Sequence, residues 1–84
     1  MFRTQTVRSV VDELLKAPDA EHYGNGIKNA LGLRTNVVYD ILIRLAREGY
    51  LTDVGLRASA KSGSPRHVYT VKDAQRLREW INHP

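Results

Sequence analysis

The side chains best equipped to do chemistry in this chain are cations and hydrogen-bonding groups, and they cluster. Between residues 34 and 72 lie Arg34, Arg44, Arg47, Arg57, Lys61, Arg66 and Lys72, against Asp40, Glu48 and Asp53. The flanking segments 1–33 and 73–84 each balance to zero, so the whole formal charge of +4 falls in the middle. Concentrated positive charge of this kind is a footprint for phosphates, whereas a merely solvated face carries both signs scattered. Other chemistries lack their parts. His22, His67 and His83 have neither the spacing nor the carboxylate company of a metal site. No serine has a supporting histidine and acid, and YGNG is not a phosphate loop followed by Lys-Ser/Thr. With no cysteine, thiolate metal sites, iron–sulfur clusters and cysteine nucleophiles are excluded. The expectation is a non-enzyme with no cofactor and no metal.

Helices and a hairpin must position these groups. Val7, Val10, Val11, Leu14 and Leu15 keep the spacing of an amphipathic helix, expected from about Gln5 to Ala17, with Thr4 or Thr6 as N-cap and Pro18 beyond. A second helix is predicted over Tyr23 to Leu31, ended by Gly32, with Gly24 and Gly26 implying close packing or a tight turn at its start. In the third, Val38, Ile41, Leu42 and Leu45 form the core stripe, Thr35 is the expected N-cap and Gly49 the stop. At roughly 100° per residue, Asn36, Asp40, Ile43 and Arg47 fall opposite that stripe, with Tyr39 and Arg44 on its flanks. The short link between the second and third helices, beginning with Gly32, has helix-turn-helix spacing.

The texture then changes. Residues 50–56 and 66–71 are rich in β-branched and aromatic residues, and the small, basic stretch RASAKSGSPR lies between them. Two strands and a basic loop make a hairpin. A last helix is expected from about Asp73 to Asn82, with Leu77, Trp80 and Ile81 on one side. The order of three helices, a hairpin and a fourth helix is an α+β, mainly α, winged helix-turn-helix. At 84 residues the chain is read as a single winged-helix domain, 1–84. No run of eighteen apolar residues occurs and the first sixteen residues are too polar for a secretory signal, so a cytoplasmic, nucleoid-associated protein is expected.

The stretch HYGNGIKNALGLRTNVVYDILIRLAREGYL, followed by GSPRHVYTV, resembles PadR-like winged-helix transcriptional regulators across about residues 5–81. That resemblance implies a bacterial or archaeal DNA-binding repressor, usually a dimer on inverted repeats. Asp40 stands where the family often has proline, and the family's longer C-terminal helices have a single counterpart here. An acidic group at that place can accept from a cytosine amino group or order a neighbouring arginine.

The major groove of duplex DNA admits the third helix, and the hairpin tip then reaches the adjacent groove or backbone. The expected DNA-binding residues are Arg34, Thr35, Asn36, Tyr39, Asp40, Ile43, Arg44, Arg47, Arg57, Lys61 and Arg66. Asn36 is suited to adenine, Tyr39 to phosphate or to packing against the wing, Ile43 to a thymine methyl, and the cations to phosphates. Val10, Leu14, Leu77, Trp80 and Ile81 are the expected seam of a homodimer formed through the first and last helices, with core packing as their alternative. Two other readings stand beside repression. One is a winged-helix protein–protein adaptor, against which the basic hairpin argues. The other is an accessory DNA-binding role in plasmid or phage partition, replication or recombination.

Overall fold

The computed structural model describes residues 3–58 and 65–83. The elements run α1 (Gln5–Lys16), β1 (His22–Tyr23), α2 (Gly24–Leu31), α3 (Thr35–Arg47), β2 (Leu51–Ala58), β3 (Pro65–Val71) and α4 (Ala74–Asn82). This is a winged helix: three helices, a hairpin wing and one closing helix.

Local chemistry sets each boundary. Thr4 caps α1, its hydroxyl oxygen accepting from the Val7 amide at 3.3 Å, and Pro18 follows the end of the helix. Gly32, at φ 68°, turns the chain out of α2 in the left-handed conformation that costs glycine nothing. The amides of Gly32 and Leu33 both donate to the Lys28 carbonyl, satisfying the helix end. Gly49, at φ 85°, does the same service after α3, and the Tyr50 amide returns to the Leu45 carbonyl. Asp73 caps α4 by accepting from the Arg76 amide at 3.0 Å.

Two sequence expectations need correction here. Thr35 is the first helical residue and Arg34 occupies the N-cap position, with no side chain bonded to the first amides of α3. His22 and Tyr23, read as a turn and the start of a helix, instead form a short strand. It pairs with β3 through His22↔Tyr69 and Tyr23↔Val68, so β3 is central in a sheet ordered β1-β3-β2. Two residues with no alternation around them carry no strand signature; their pairing is a tertiary event.

The core is continuous. Val10, Val11 and Leu14 of α1 meet Val38, Leu42 and Leu45 of α3, Leu77 of α4 and Tyr69 of β3, all fully or almost fully buried. Those side chains fix α3 from one side only, and its opposite face is left to solvent. Val10, Leu14, Leu77 and Ile81, expected at a dimer seam, lie inside this core at 0–3% exposure and offer a partner no surface. Their stripes close on one another within one chain. Trp80 alone of that expected set is half-buried.

Candidate nucleic-acid interface

Of the expected contact residues on α3, Arg34, Thr35, Asn36, Asp40, Ile43, Arg44 and Arg47 are all exposed. Packing of Val38, Ile41, Leu42 and Leu45 orients that face, because a helix cannot bury one stripe without presenting the other. Asn36 and Arg34 stand at the N-terminal end, where uncapped amides and the positive end of the helix dipole favour an anion. Arg44 and Arg47 occupy the last turn, where cations also favour the dipole. Asp40 accepts an ion pair from Arg44, 3.6 Å away and one turn on, so the acid orders an arginine on the same face. Ile43 is 42% exposed among these polar groups.

Tyr39 is positioned differently. The hydroxyl end of its ring lies against Gly24 at the start of α2; a Cβ placed on Gly24 would sit 2.5 Å from Tyr39 Cζ. The glycine expected to mark close packing therefore does so, and the helix-turn-helix is locked by an aromatic ring on bare backbone. The ring thus packs on α2, and it also lies near Tyr69 of β3.

On the wing, Arg57 and Arg66 face each other across the β2–β3 ladder. Arg57 is bound by Glu21, 2.9 Å away in the α1–β1 connection, and Arg66 lies 4.4 Å from the centre of the Tyr23 ring. Lys61 lies outside the described residues. The wing root contains a bulge at Val54. Asp53 accepts from the Gly55 amide at 2.9 Å and from His67 Nε2 at 2.5 Å, and the His67 ring stacks on Tyr69 at 4.9 Å. Burial pushes the Tyr69 hydroxyl above its ordinary pKa, helped by the nearby Asp53 carboxylate and Tyr39. Glu21, Tyr23, Asp53 and His67 shape this surface, a role the sequence reading gave to none of them. Asp53-x-Gly55 inside a strand was the one available signal, since an acid two residues before glycine suits a local turn.

Tyr50, just beyond α3, and Trp80 of α4 pack at 5.3 Å between centroids, with Arg76 over Tyr50 and Arg3 over Trp80. Arg3 also donates to the Trp80 carbonyl at 3.0 Å, joining the start of α1 to the end of α4. A shallow recess of about 390 Å³ opens between these groups, Glu79 and His83. Among the described residues no cluster of three histidines or acids could hold a metal, and no helix is long and apolar enough to cross a membrane.

No family model matches the chain, and no curated protein matches it. Solved structures do. PadR of Bacillus subtilis, in complex with operator DNA, superposes with a TM-score of 0.69 at 19% identity over 94% of this chain. Pex from Synechococcus sp. superposes with a TM-score of 0.66 at 20% identity over 93% of this chain. The chain spans 46% of the PadR chain and 77% of the Pex chain. The PadR-like winged-helix fold expected from the sequence is the fold observed.

Proposed function

We propose that the chain is a sequence-specific double-stranded DNA-binding protein acting as a small transcriptional repressor. In this reading α3 enters the major groove and the basic wing rests on the adjacent backbone or minor groove. The observation that carries it is the exposed face of α3, with Arg34, Asn36, Arg44 and Arg47 all exposed beside a wing holding Arg57 and Arg66. An α-helix of 13 residues spans the width of a major groove, and the three guanidinium groups of Arg34, Arg44 and Arg47 along it supply the phosphate contacts that set register. The Bacillus subtilis neighbour, solved on operator DNA, supports the same use of the fold. Working on DNA, the protein is cytoplasmic and nucleoid-associated, and it is a regulator without catalysis, cofactor or metal.

The active form in this reading is a homodimer on an inverted repeat, joined along the edge where α1 and α4 meet. Trp80, half-buried over Tyr50, is the contact residue there, because the other expected seam residues are already inside the core.

Selection of bound sites from random duplexes, followed by binding at several salt concentrations, tests both parts. A palindromic consensus and an affinity falling steeply with salt are expected. Salt-independent binding, or no retardation of any duplex at low salt, overturns the reading and favours a protein–protein adaptor using Ile43. A consensus without two-fold symmetry removes the dimer.

A further inference from the structure

We infer that Leu56 is an apolar contact to the minor groove that gives the wing a sequence preference of its own. The inference rests on the DNA-binding reading above and adds to it a residue and a kind of readout.

Leu56 is 69% exposed, the most exposed large hydrophobic side chain among the described residues. A single exposed leucine requires no explanation by itself. The direction of this one, however, is built into the strand. Asp53 pairs with Tyr69 but Gly55 pairs with Val68, so Val54 is an extra residue in β2. Without it, unbroken pairing would set Leu56 opposite Arg66. With it, Leu56 opposes His67 and Arg57 opposes Arg66. Directly opposed side chains share a face, and successive ones alternate. The bulge therefore sorts the wing into two faces, Leu56 with His67 and Tyr69 on one, Arg57 with Arg66 and Val68 on the other.

Independent contacts agree with this sorting. His67 stacks on Tyr69 with planes 15° apart, and Arg66 lies over Tyr23, whose strand partner is Val68. The bulge is also pinned where it is. Gly55 adopts φ 92°, a conformation that disfavours side chains, and Asp53 gathers the Gly55 amide and the His67 ring onto one carboxylate oxygen. Tyr69, at the root of the Leu56 face, is close enough to Tyr39 of α3 to feel its charge. Leu56 thus lies on the face of the wing that carries Tyr69, which packs in the core with Val38 and Leu42 of α3, while the arginine face makes the contacts to Glu21 and Tyr23.

Duplex DNA beside an occupied major groove offers such a side chain a minor groove. Apolar side chains there press between base steps and kink them, and neighbouring cations hold the phosphates. Leucine forms no hydrogen bond, so what it selects is deformability. Flexible pyrimidine–purine steps, TA above all, yield most easily.

Site selection with the wild type and with Leu56→Ala, followed by phased-bend electrophoresis and salt titration on the selected duplex, tests this. The wild type should prefer a TA or CA/TG step flanking the major-groove half-site and should bend it. Leu56→Ala should lose that flanking preference and the bend, and bind the best site about tenfold more weakly. It should keep the half-site preference and the salt slope, since an apolar contact releases no counterions. Its melting temperature should match the wild type, because the side chain is outside the core. A wild type that binds tightly without flanking preference, or a variant that retains it, overturns the proposal alone. A uniform loss across sequences with a flatter salt slope also overturns it, marking a backbone role. Failure of both proteins to bind any duplex overturns the DNA-binding reading and this inference together.

Discussion

Asn36 is the side chain on α3 whose chemistry is most informative, because an amide can donate and accept toward one adenine edge at once. It is exposed, sits at the N-terminal end of the helix, and touches nothing in the core. Asn36→Ala should therefore leave the melting temperature unchanged while relaxing preference at one or two base pairs, at about 1–3 kcal/mol. Competition between the selected site and its single-base variants measures this. Equal loss on every sequence would make Asn36 a backbone contact instead. Arg44 differs from the other cations of its helix, since Asp40 holds it before any ligand arrives. That pairing was readable from the i, i+4 spacing. The ion pair of Arg57 was not, because Glu21 lies far from it in sequence and only the fold brings the two together.

Among the elements, α2 and α3 are joined by the Tyr39 ring resting on Gly24. Gly24→Ala drives a methyl into that ring, and the overpacking should destabilise the chain by about 1–3 kcal/mol. Adding Tyr39→Ala should recover part of the loss, and a double-mutant cycle by urea denaturation reads this non-additivity directly. Strict additivity would mean that the ring yields freely. The wing makes a second case. Glu21 and Arg57 are half-exposed, and such pairs contribute about 0.2–1 kcal/mol. Glu21→Gln frees Arg57 for phosphate, so affinity for duplex DNA should rise, by at most about fivefold, with a salt slope no smaller than before. Fluorescence anisotropy across a salt series checks it, and unchanged affinity would place Arg57 away from the backbone. Periodicity made all four helices legible to within about two residues at their ends. The strand at His22–Tyr23 and the bulge at Val54 were hidden because both depend on which strand lies alongside.

At the scale of the whole molecule, stability follows the same centre that shapes the wing. Tyr69 is buried at the junction of sheet and helices, and burial first, then Asp53 and Tyr39, raise its pKa. The folded state holds the neutral phenol, so its contribution is complete below the unfolded value of about 10 and is lost as pH climbs through the folded one. Melting temperature should stay level on this account up to about pH 10 and then fall, and Tyr69→Phe should reduce that alkaline decline. An alkaline profile identical in the two proteins would show that another group controls it. Charge placement alone pointed to the candidate interface in the sequence, since the excess falls within residues 34–72, which hold α3 and the wing. Val10, Leu14, Leu77 and Ile81 were expected at a seam but lie in the core, because apolar stripes on α1 and α4 look the same whether they close on each other or on a second chain.

The order β1-β3-β2 leaves β2 at an edge, with backbone groups on one side that no strand among the described residues occupies. A long, regular edge of this sort is a template for another molecule's strand and hence for aggregation. The extra residue at Val54 bends β2 in its middle, and Arg57 adds charge beyond the bend. On the DNA-binding reading, the kink that directs Leu56 to the minor groove also spoils the edge for a foreign strand. In that reading one irregularity in one strand serves both the wing's sequence preference and the protection of its edge.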